Sequence, residues 1–346
     1  MLPLYYEYHN PVKILSGEAA LENIPYELHA LEAHAPLLLS DQGLKQVGAV
    51  DTVLHAIAPT VPKAIFTDIP ADSSVAVVNQ IAAYYKEQGC DSILAVGGGS
   101  VIDTAKGVRM VISQNTDDIE SLMGCEVLTA GRHIPFLAVP TTAGTGSEVT
   151  PVAVISNPQK QVKQEYLSAH LLPDAAILDL RMTMTLPPKV TASTGIDALC
   201  HAIESFTCLQ KNPMSDAYAA GAIPLIMRYL PIAAAHPGNK EARMAMANAS
   251  LMAGTSFGNS MVGLVHAIGH ALGGVCHVAH GDAMSILLPH VMAYNLDKCR
   301  SGYSDLLLHL AGPERYCSTP ADHRAEKAVE VVTEFVASFA PYGLPM

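Results

Sequence analysis

Histidine is concentrated in one short part of the chain. Five of the 15 histidines lie within residues 266–290: His266, His270, His277, His280 and His290. His266 and His270 are four residues apart in an apolar segment, 261–274, that predicts a buried helix, so both rings would share one face. A buried imidazole needs a partner for each nitrogen. The pair therefore indicates either two groups that approach one site or two hydrogen-bonded core histidines.

A carboxylate and a histidine form a second pair at helical spacing. Asp197 and His201 are four residues apart in GIDALCHAIE (195–204), which places them on one face of a predicted helix. A carboxylate with several imidazoles is a plausible ligand set for a divalent first-row metal. The alternative is that Asp197, His201 and Glu204 are simply the solvated side of this helix, since apolar residues lie roughly opposite.

Two loops rich in glycine and hydroxyl groups follow predicted strands. GGGSVID (97–103) follows the run Ser92–Val96 and opens a helix over Val101–Val111, so its backbone N–H groups could bind a phosphate. It is not a GxGxxG fingerprint, and a tight structural turn is the alternative. PTTAGTGSE (140–148) follows the run Pro135–Val139 and could bind ribose, phosphate or carboxamide groups, or be a plain surface loop.

The elements that position these residues fall into two classes. Six short apolar runs predict strands: Pro36–Ser40, Ala64–Phe66, Ser92–Val96, Pro135–Val139, Val152–Ile155 and Ala175–Leu178. Helical segments such as Ser74–Glu87 lie between the earlier runs, and this alternation predicts a doubly wound, mostly parallel sheet. The strands from Pro135 on have no helices between them and could form a hairpin or an edge.

The second half of the chain differs, because residues 190–292 carry Ala, Leu, Met and Ile at helical spacing. The sequence therefore predicts an α/β domain over residues 1–185, which carries the candidate phosphate-binding loop, and an all-helical domain over residues 186–346, which carries the candidate metal ligands. A ligand would sit in the cleft between the two domains.

Composition limits the classes of protein to which the chain can belong. The 346 residues are 50% hydrophobic and 15% charged, which excludes global disorder. The net charge of -12 argues against nucleic acid or an anionic membrane as a partner. The first residues lack the pattern of a signal peptide, and no uninterrupted apolar stretch approaches the roughly 20 residues of a membrane helix. We expect a soluble, cytoplasmic protein.

Seven cysteines form no CxxC pair, and their number is odd. They are interpreted as reduced thiols of a cytosolic chain. Each is expected to be a small buried side chain: Cys90, Cys125, Cys200, Cys208, Cys276, Cys299 and Cys317.

Four motifs together resemble the iron-containing (group III) alcohol dehydrogenases: GGGSVIDTAK (97–106), PTTAGTGSEVT (140–150), GIDALCHAIE (195–204) and GLVHAIGHALGGVCHVAHG (263–281). The resemblance runs along the whole chain and implies a dehydroquinate-synthase-like fold, with a nucleotide-binding α/β domain followed by a helical domain. It also implies a homodimer or a higher homo-oligomer. Members of the family usually continue through several more helical turns beyond the position of residue 346, so we expect the C-terminus of this chain to be truncated.

The resemblance implies one catalytic metal ion and its ligands, Asp197, His201, His266 and His280. His270 corresponds to a non-ligand close to the metal that relays a proton. Catalytic zinc usually has three protein ligands, whereas four protein ligands plus a substrate imply five or six coordination. This count favours Fe²⁺, with Zn²⁺ as the alternative.

The resemblance further implies NAD as cofactor. The residues expected at the pyrophosphate are Gly97, Gly98, Gly99, Ser100 and Asp103. Those expected at the rest of the dinucleotide are Thr141, Thr142, Thr145 and Ser147, with Lys163 at the nicotinamide ribose and Asp41 at the adenosine ribose. Relatives often carry Asn at the position of Ala71 or Asp72. Val152 and Phe257 fall where members line the substrate pocket, and both are apolar.

The leading functional hypothesis is reversible hydride transfer between a primary alcohol or aldehyde and NAD(H). One alternative is a zinc polyol (glycerol-type) dehydrogenase, although apolar pocket residues favour a short to medium unbranched alcohol. A dehydroquinate synthase would need more Lys and Arg for its polyanionic substrate than residues 190–290 offer. A non-catalytic nucleotide-binding module should have lost a metal ligand, and all four positions are intact.

Overall fold

The chain folds into two compact units in a computed structural model that describes residues 3–123 and 131–345. The first, here the α/β unit, comprises residues 10–142 and 147–185. The second, the helical unit, comprises residues 186–345 together with two short segments, 3–9 and 143–146. The loop 140–148 therefore contributes residues to both units.

The described residues of the α/β unit form eight strands: β1 (Lys13–Gly17), β2 (Pro36–Leu39), β3 (Ala64–Phe66), β4 (Ser92–Gly97), β5 (Phe136–Pro140), β6 (Val152–Asn157), β7 (Val162–Leu167) and β8 (Ala175–Asp179). Six of them form one parallel sheet in the order β1-β8-β5-β4-β2-β3. Its helices are α1 (Ile24–Ala30), α2 (Gln42–Gln46), α3 (Ala49–Ala56), α4 (Val75–Gln88), α5 (Gly99–Ser113) and α6 (Leu180–Thr183). The predicted doubly wound class is confirmed.

The interior strands of the sheet are the ones that continuous apolar runs in the sequence predicted. Every residue of β2, β4, β5 and β8 is buried, as expected for strands covered on both faces of a parallel sheet. The expectation that all strands after Pro135 form a hairpin or an edge is wrong for β5 and β8, which lie inside the sheet. Only β6 forms a hairpin, with the antiparallel β7.

The helical unit contains α7 (Pro188–Thr207), α8 (Pro213–Ala235), α9 (Lys240–Phe257), α10 (Leu264–Cys276), α11 (His280–Ser318) and α12 (Arg324–Ala337). The helical prediction for residues 190–292 is confirmed. Among the described helices, α8 alone has the length and mean hydropathy, 1.3, of a membrane span, although Asp216 and Arg228 interrupt its apolar sequence. Its Ile223, Ile226 and Leu230 are fully buried in the core of the unit, and 39% of the apolar window is buried.

All six cysteines in the described part of the chain are free thiols, and Cys125 lies outside that part. Only Cys200 is buried, whereas Cys276 and Cys317 are exposed. The expectation that each cysteine is buried is therefore confirmed for Cys200 and wrong for Cys276 and Cys317. The other three are only partly buried: Cys90, Cys208 and Cys299.

Candidate active site

Three buried side chains of the helical unit each place one possible metal-ligand atom within 4.8 Å of the others: Asp197, His201 and His266. Asp197 and His201 are one turn apart on α7, and His266 lies in the first turn of α10. Asp197 and His266 are 2% exposed and His201 is 5% exposed, with Glu204 at 6%. The alternative of a solvated helix face is therefore wrong.

Two further histidines border this cluster. His280, the first residue of α11, places its Nε2 3.2 Å from Asp197 Oδ1. The same carboxylate oxygen lies 3.5 Å from His266 Nε2 and 3.8 Å from His201 Nδ1. The His270 ring centroid is 5.9 Å from that of His266 and 5.4 Å from that of His280. Three imidazoles thus converge on one carboxylate oxygen, with a fourth beside them.

The donor atoms of this cluster fit a cation. Asp197 Oδ1, His201 Nδ1 and His266 Nε2 are all buried, and none has a hydrogen-bond partner. A buried polar group without a partner costs about 1–3 kcal/mol, so three such atoms aimed at one place need an explanation. A divalent metal ion would satisfy all three, and one carboxylate with imidazoles is a ligand set that such ions accept.

Glu204 fixes the orientation of His266. Its Oε2 lies 2.6 Å from His266 Nδ1, and its Oε1 accepts the Val265 backbone N–H at 2.6 Å. The carboxylate therefore caps the start of α10 and holds the proton of His266 on Nδ1, which leaves the Nε2 lone pair for a metal. A Cβ on Gly263 would lie 2.8 Å from Glu204 Oε1, so a larger residue there would displace this carboxylate. Nothing in the sequence pattern around Glu204 indicated this role.

The pKa values of the two buried histidines in this cluster are shifted in opposite directions. Burial lowers the pKa of His201 to about 3, which keeps its imidazole neutral. Burial also lowers the pKa of His266, but the carboxylates of Asp197 and Glu204 outweigh it and raise that pKa to about 9. Burial raises the pKa of Asp197, but the neighbouring histidines hold it well below its usual range. A charge-balancing cluster of this kind is typical of functional sites.

The predicted pocket residues lie in different units. Phe257, the last residue of α9, stacks on His201 with ring centroids 4.1 Å apart, so it borders the candidate metal site. Val152 begins β6 in the α/β unit. A cavity of about 380 Å³ in the helical unit has Glu204 in its wall but none of the four predicted ligands, so it is a different space from the predicted pocket.

The two glycine-bearing loops meet at one edge of the sheet. Gly97 ends β4, Gly98 caps α5 and Gly99 begins it. The Thr141 backbone N–H donates to Gly97 O at 3.0 Å, and a Cβ on Gly98 would lie 3.2 Å from the Thr142 side chain. This edge holds the carboxyl ends of two neighbouring parallel strands, where doubly wound folds bind ligands.

The other predicted nucleotide contacts are already partnered within the protein. Asp41 follows β2, and its Oδ1 caps α2 by accepting the Leu44 N–H at 2.9 Å. Lys163 Nζ lies 2.6 Å from Asp72 Oδ1, and the Asp72 N–H donates to Ser100 Oγ at 3.1 Å. Asp103 and Ser147 are hydrogen-bonded to each other. Thr145 lies in the segment 143–146 of the helical unit.

Comparison with known proteins places the chain in a family. Residues 11–180 match the family model "Iron-containing alcohol dehydrogenase", and residues 191–341 match "Fe-containing alcohol dehydrogenase family, C-terminal". The chain is 35% identical over 332 residues to long-chain-alcohol dehydrogenase 1 of Geobacillus thermodenitrificans, which covers 95% of this chain and 82% of the relative. It is 34% identical to the NAD-dependent methanol dehydrogenase of Bacillus methanolicus over 97% of this chain and 86% of that protein.

A solved structure of 1,3-propanediol oxidoreductase superposes with a TM-score of 0.92 at 35% identity, covering 99% of this chain and 88% of that one. Both halves of the chain thus match one family in sequence, and the whole chain matches it in fold. The protein belongs to the iron-containing alcohol dehydrogenase family.

Proposed function

We propose that this protein catalyses the reversible, NAD-dependent oxidation of a primary alcohol to an aldehyde at the cluster around Asp197. The observation that carries the proposal is the convergence in the helical unit of three buried ligand atoms that make no hydrogen bond. Asp197, His201, His266 and His280 would hold the metal, with Fe²⁺ as the proposed ion and Zn²⁺ as the alternative. When bound, such an ion supplies Lewis acidity toward the alcohol oxygen.

His270 is proposed to carry the hydroxyl proton away from the site. Its ring lies beside those of His266 and His280, and it is only partly buried, so it can reach both the site and solvent. Imidazole is the side chain that most often transfers protons in catalysis.

NAD is proposed to bind where β4 and β5 end. The diphosphate would meet the backbone of Gly97, Gly98 and Gly99 and the N-terminus of α5, which favours negative charge. The resemblance adds contacts of Thr141, Thr142 and Thr145, of Lys163 at the nicotinamide ribose and of Asp41 at the adenosine ribose. The name of the Bacillus methanolicus relative, an NAD-dependent methanol dehydrogenase, supports this choice of cofactor.

The substrate is proposed to be a short to medium unbranched alcohol, because Phe257 presents an aromatic face beside His201 and offers no hydrogen bond to a polyol. We also propose a cytoplasmic homo-oligomer. Free thiols at all six described cysteines are consistent with a reducing compartment.

A substrate screen tests these proposals. Purified protein supplied with Fe²⁺ or Zn²⁺ should form NADH from short alkanols, and a chelator should abolish the reaction. Preference for glycerol in the Zn²⁺ form would establish the polyol dehydrogenase instead. NADH binding without turnover on any alcohol, diol or polyol would favour the non-catalytic module.

A further inference from the structure

Lys106 is a fully buried cation on α5, about two turns after the glycine loop. Its Nζ lies 3.0 Å from Ser147 Oγ, 3.0 Å from Thr150 Oγ1 and 2.6 Å from Val152 O. An ammonium group has three N–H donors, so these three oxygens use all of them. Burial of a charge costs free energy unless the charge is paired. The burial of Lys106 among three acceptors therefore has to be explained.

Asp103, one turn earlier on α5, supplies the opposite charge. Its Oδ1 lies 3.7 Å from Lys106 Nζ. The same carboxylate accepts the Ser147 hydroxyl through Oδ1 and the Val154 backbone N–H through Oδ2, the latter at 3.0 Å. Together, Asp103 and Lys106 hold residues 147–154 against α5 through five hydrogen bonds.

These bonds limit what Ser147 can do for a cofactor. A serine hydroxyl has one proton, and the proton of Ser147 is directed at Asp103 while its oxygen accepts from Lys106. A diphosphate oxygen accepts hydrogen bonds and cannot donate them. Ser147 therefore has no proton to give to the diphosphate while this arrangement persists, and neither carboxylate oxygen of Asp103 is suited to face a phosphate.

We propose that Lys106 is a positioning residue for the nucleotide site, and that Asp103 and Ser147 serve the cofactor through it rather than by contact. The inference rests on the proposed NAD site. The held segment leads directly into β6, and β6 pairs with β7, which carries Lys163. The helix that carries Lys106 begins at Gly99. One buried cation therefore fixes the position of the loop 97–99 relative to the β6–β7 hairpin.

The test is NADH binding by Lys106→Met, an uncharged side chain of similar length. Fluorescence titration of the metal-loaded protein should give a Kd for NADH raised about tenfold or more. The KM for NAD should rise while the KM for the alcohol and the metal content stay at wild-type values. Thr150→Val, which removes one acceptor of Lys106 and touches no proposed contact, should raise the Kd in the same direction by less.

The matched control is Arg109→Met, which removes another buried cation from the same helix. Arg109 bonds the carbonyls of Ile134 and Leu172, remote in sequence from residues 147–154. It should lower the thermal midpoint without changing the Kd for NADH. Wild-type affinity in both Lys106→Met and Thr150→Val would overturn the role of Lys106. A wild-type protein that binds no NADH would overturn the proposed function, and this inference with it.

Discussion

At the scale of single residues, the two histidines of α10 should separate metal binding from proton transfer. His266→Ala removes one of the three buried ligand atoms that make no hydrogen bond and should abolish both metal content and turnover. His270→Ala should keep the metal and reduce turnover by roughly 10²–10⁴, the usual contribution of a proton relay. Elemental analysis and steady-state kinetics of the two proteins provide the measurement.

The opposite result would support a different assignment. If His270→Ala loses as much metal as His266→Ala, both residues are ligands, as their spacing of four residues suggests by itself. If His266→Ala retains metal and near-normal turnover, the cluster around Asp197 is not the metal site.

Glu204 offers a second test at the residue scale. In Glu204→Gln, one amide oxygen cannot accept from both His266 and Val265, and the NH₂ group would face a donor. Loss of such an outer partner typically lowers metal affinity by about 10–100-fold. Competition with a metal-sensitive dye should show this drop, whereas Glu241→Gln, whose carboxylate bonds only the Tyr229 hydroxyl, should show none. Equal affinity in the two variants would mean that Glu204 only caps α10.

At the scale of the elements, the buried strands could be predicted from the sequence, whereas the partly exposed strands could not. Apolar runs such as SILAV form fully buried interior strands, so a continuous run of apolar residues is enough to predict them. The edge strand β1 and the hairpin strand β7 were missed, because they carry charged residues and are partly exposed. The pairing of α7 with α10 was also invisible, since Glu204 and His266 are 62 residues apart.

In the candidate site, too, contacts within one helix could be predicted from the sequence, whereas contacts between distant residues could not. Spacing alone placed Asp197 with His201 on one helix face. It could not choose between His270 and His280, because that choice depends on how α11 begins beside α10. Lys106 and its acceptors are 41 to 46 residues apart, and nothing in the motif GGGSVIDTAK marks the lysine as buried.

Gly98 tests the contact between the β4 and β5 loops. A Cβ there would lie 3.2 Å from the Thr142 side chain, so Gly98→Val should push the two loops apart and raise the KM for NAD about tenfold or more. Metal content should not change. Gly238→Val is the control, because nothing lies within 4 Å of a Cβ at that glycine. An unaltered KM in Gly98→Val would make the loop a structural turn.

At the scale of the whole molecule, Glu148 should make stability depend on pH. This carboxyl is 2% exposed, and burial raises its pKa from 4.5 to about 7, against the opposing charge of Lys106. The folded state therefore holds a proton that the unfolded state releases, so stability should fall as pH rises from about 4.5 to 7. A pKa shift of this size lowers the free energy of unfolding above pH 7 by about 3 kcal/mol.

Glu148→Gln keeps the shape of the neutral acid and removes this loss. Its thermal midpoint should be close to that of the wild type at pH 5 and several degrees above it at pH 7.5. The gain in unfolding free energy should be smaller than the pKa shift of Glu148 alone implies, because Lys106 loses one of its two nearby negative charges. Glu120→Gln should behave oppositely, since Lys160 holds the pKa of Glu120 below its usual value and its carboxylate stabilises the fold at higher pH. A midpoint difference between Glu148→Gln and wild type that does not widen from pH 5 to 7.5 would mean that Glu148 is ionised throughout, with Lys106 as a full counter-ion.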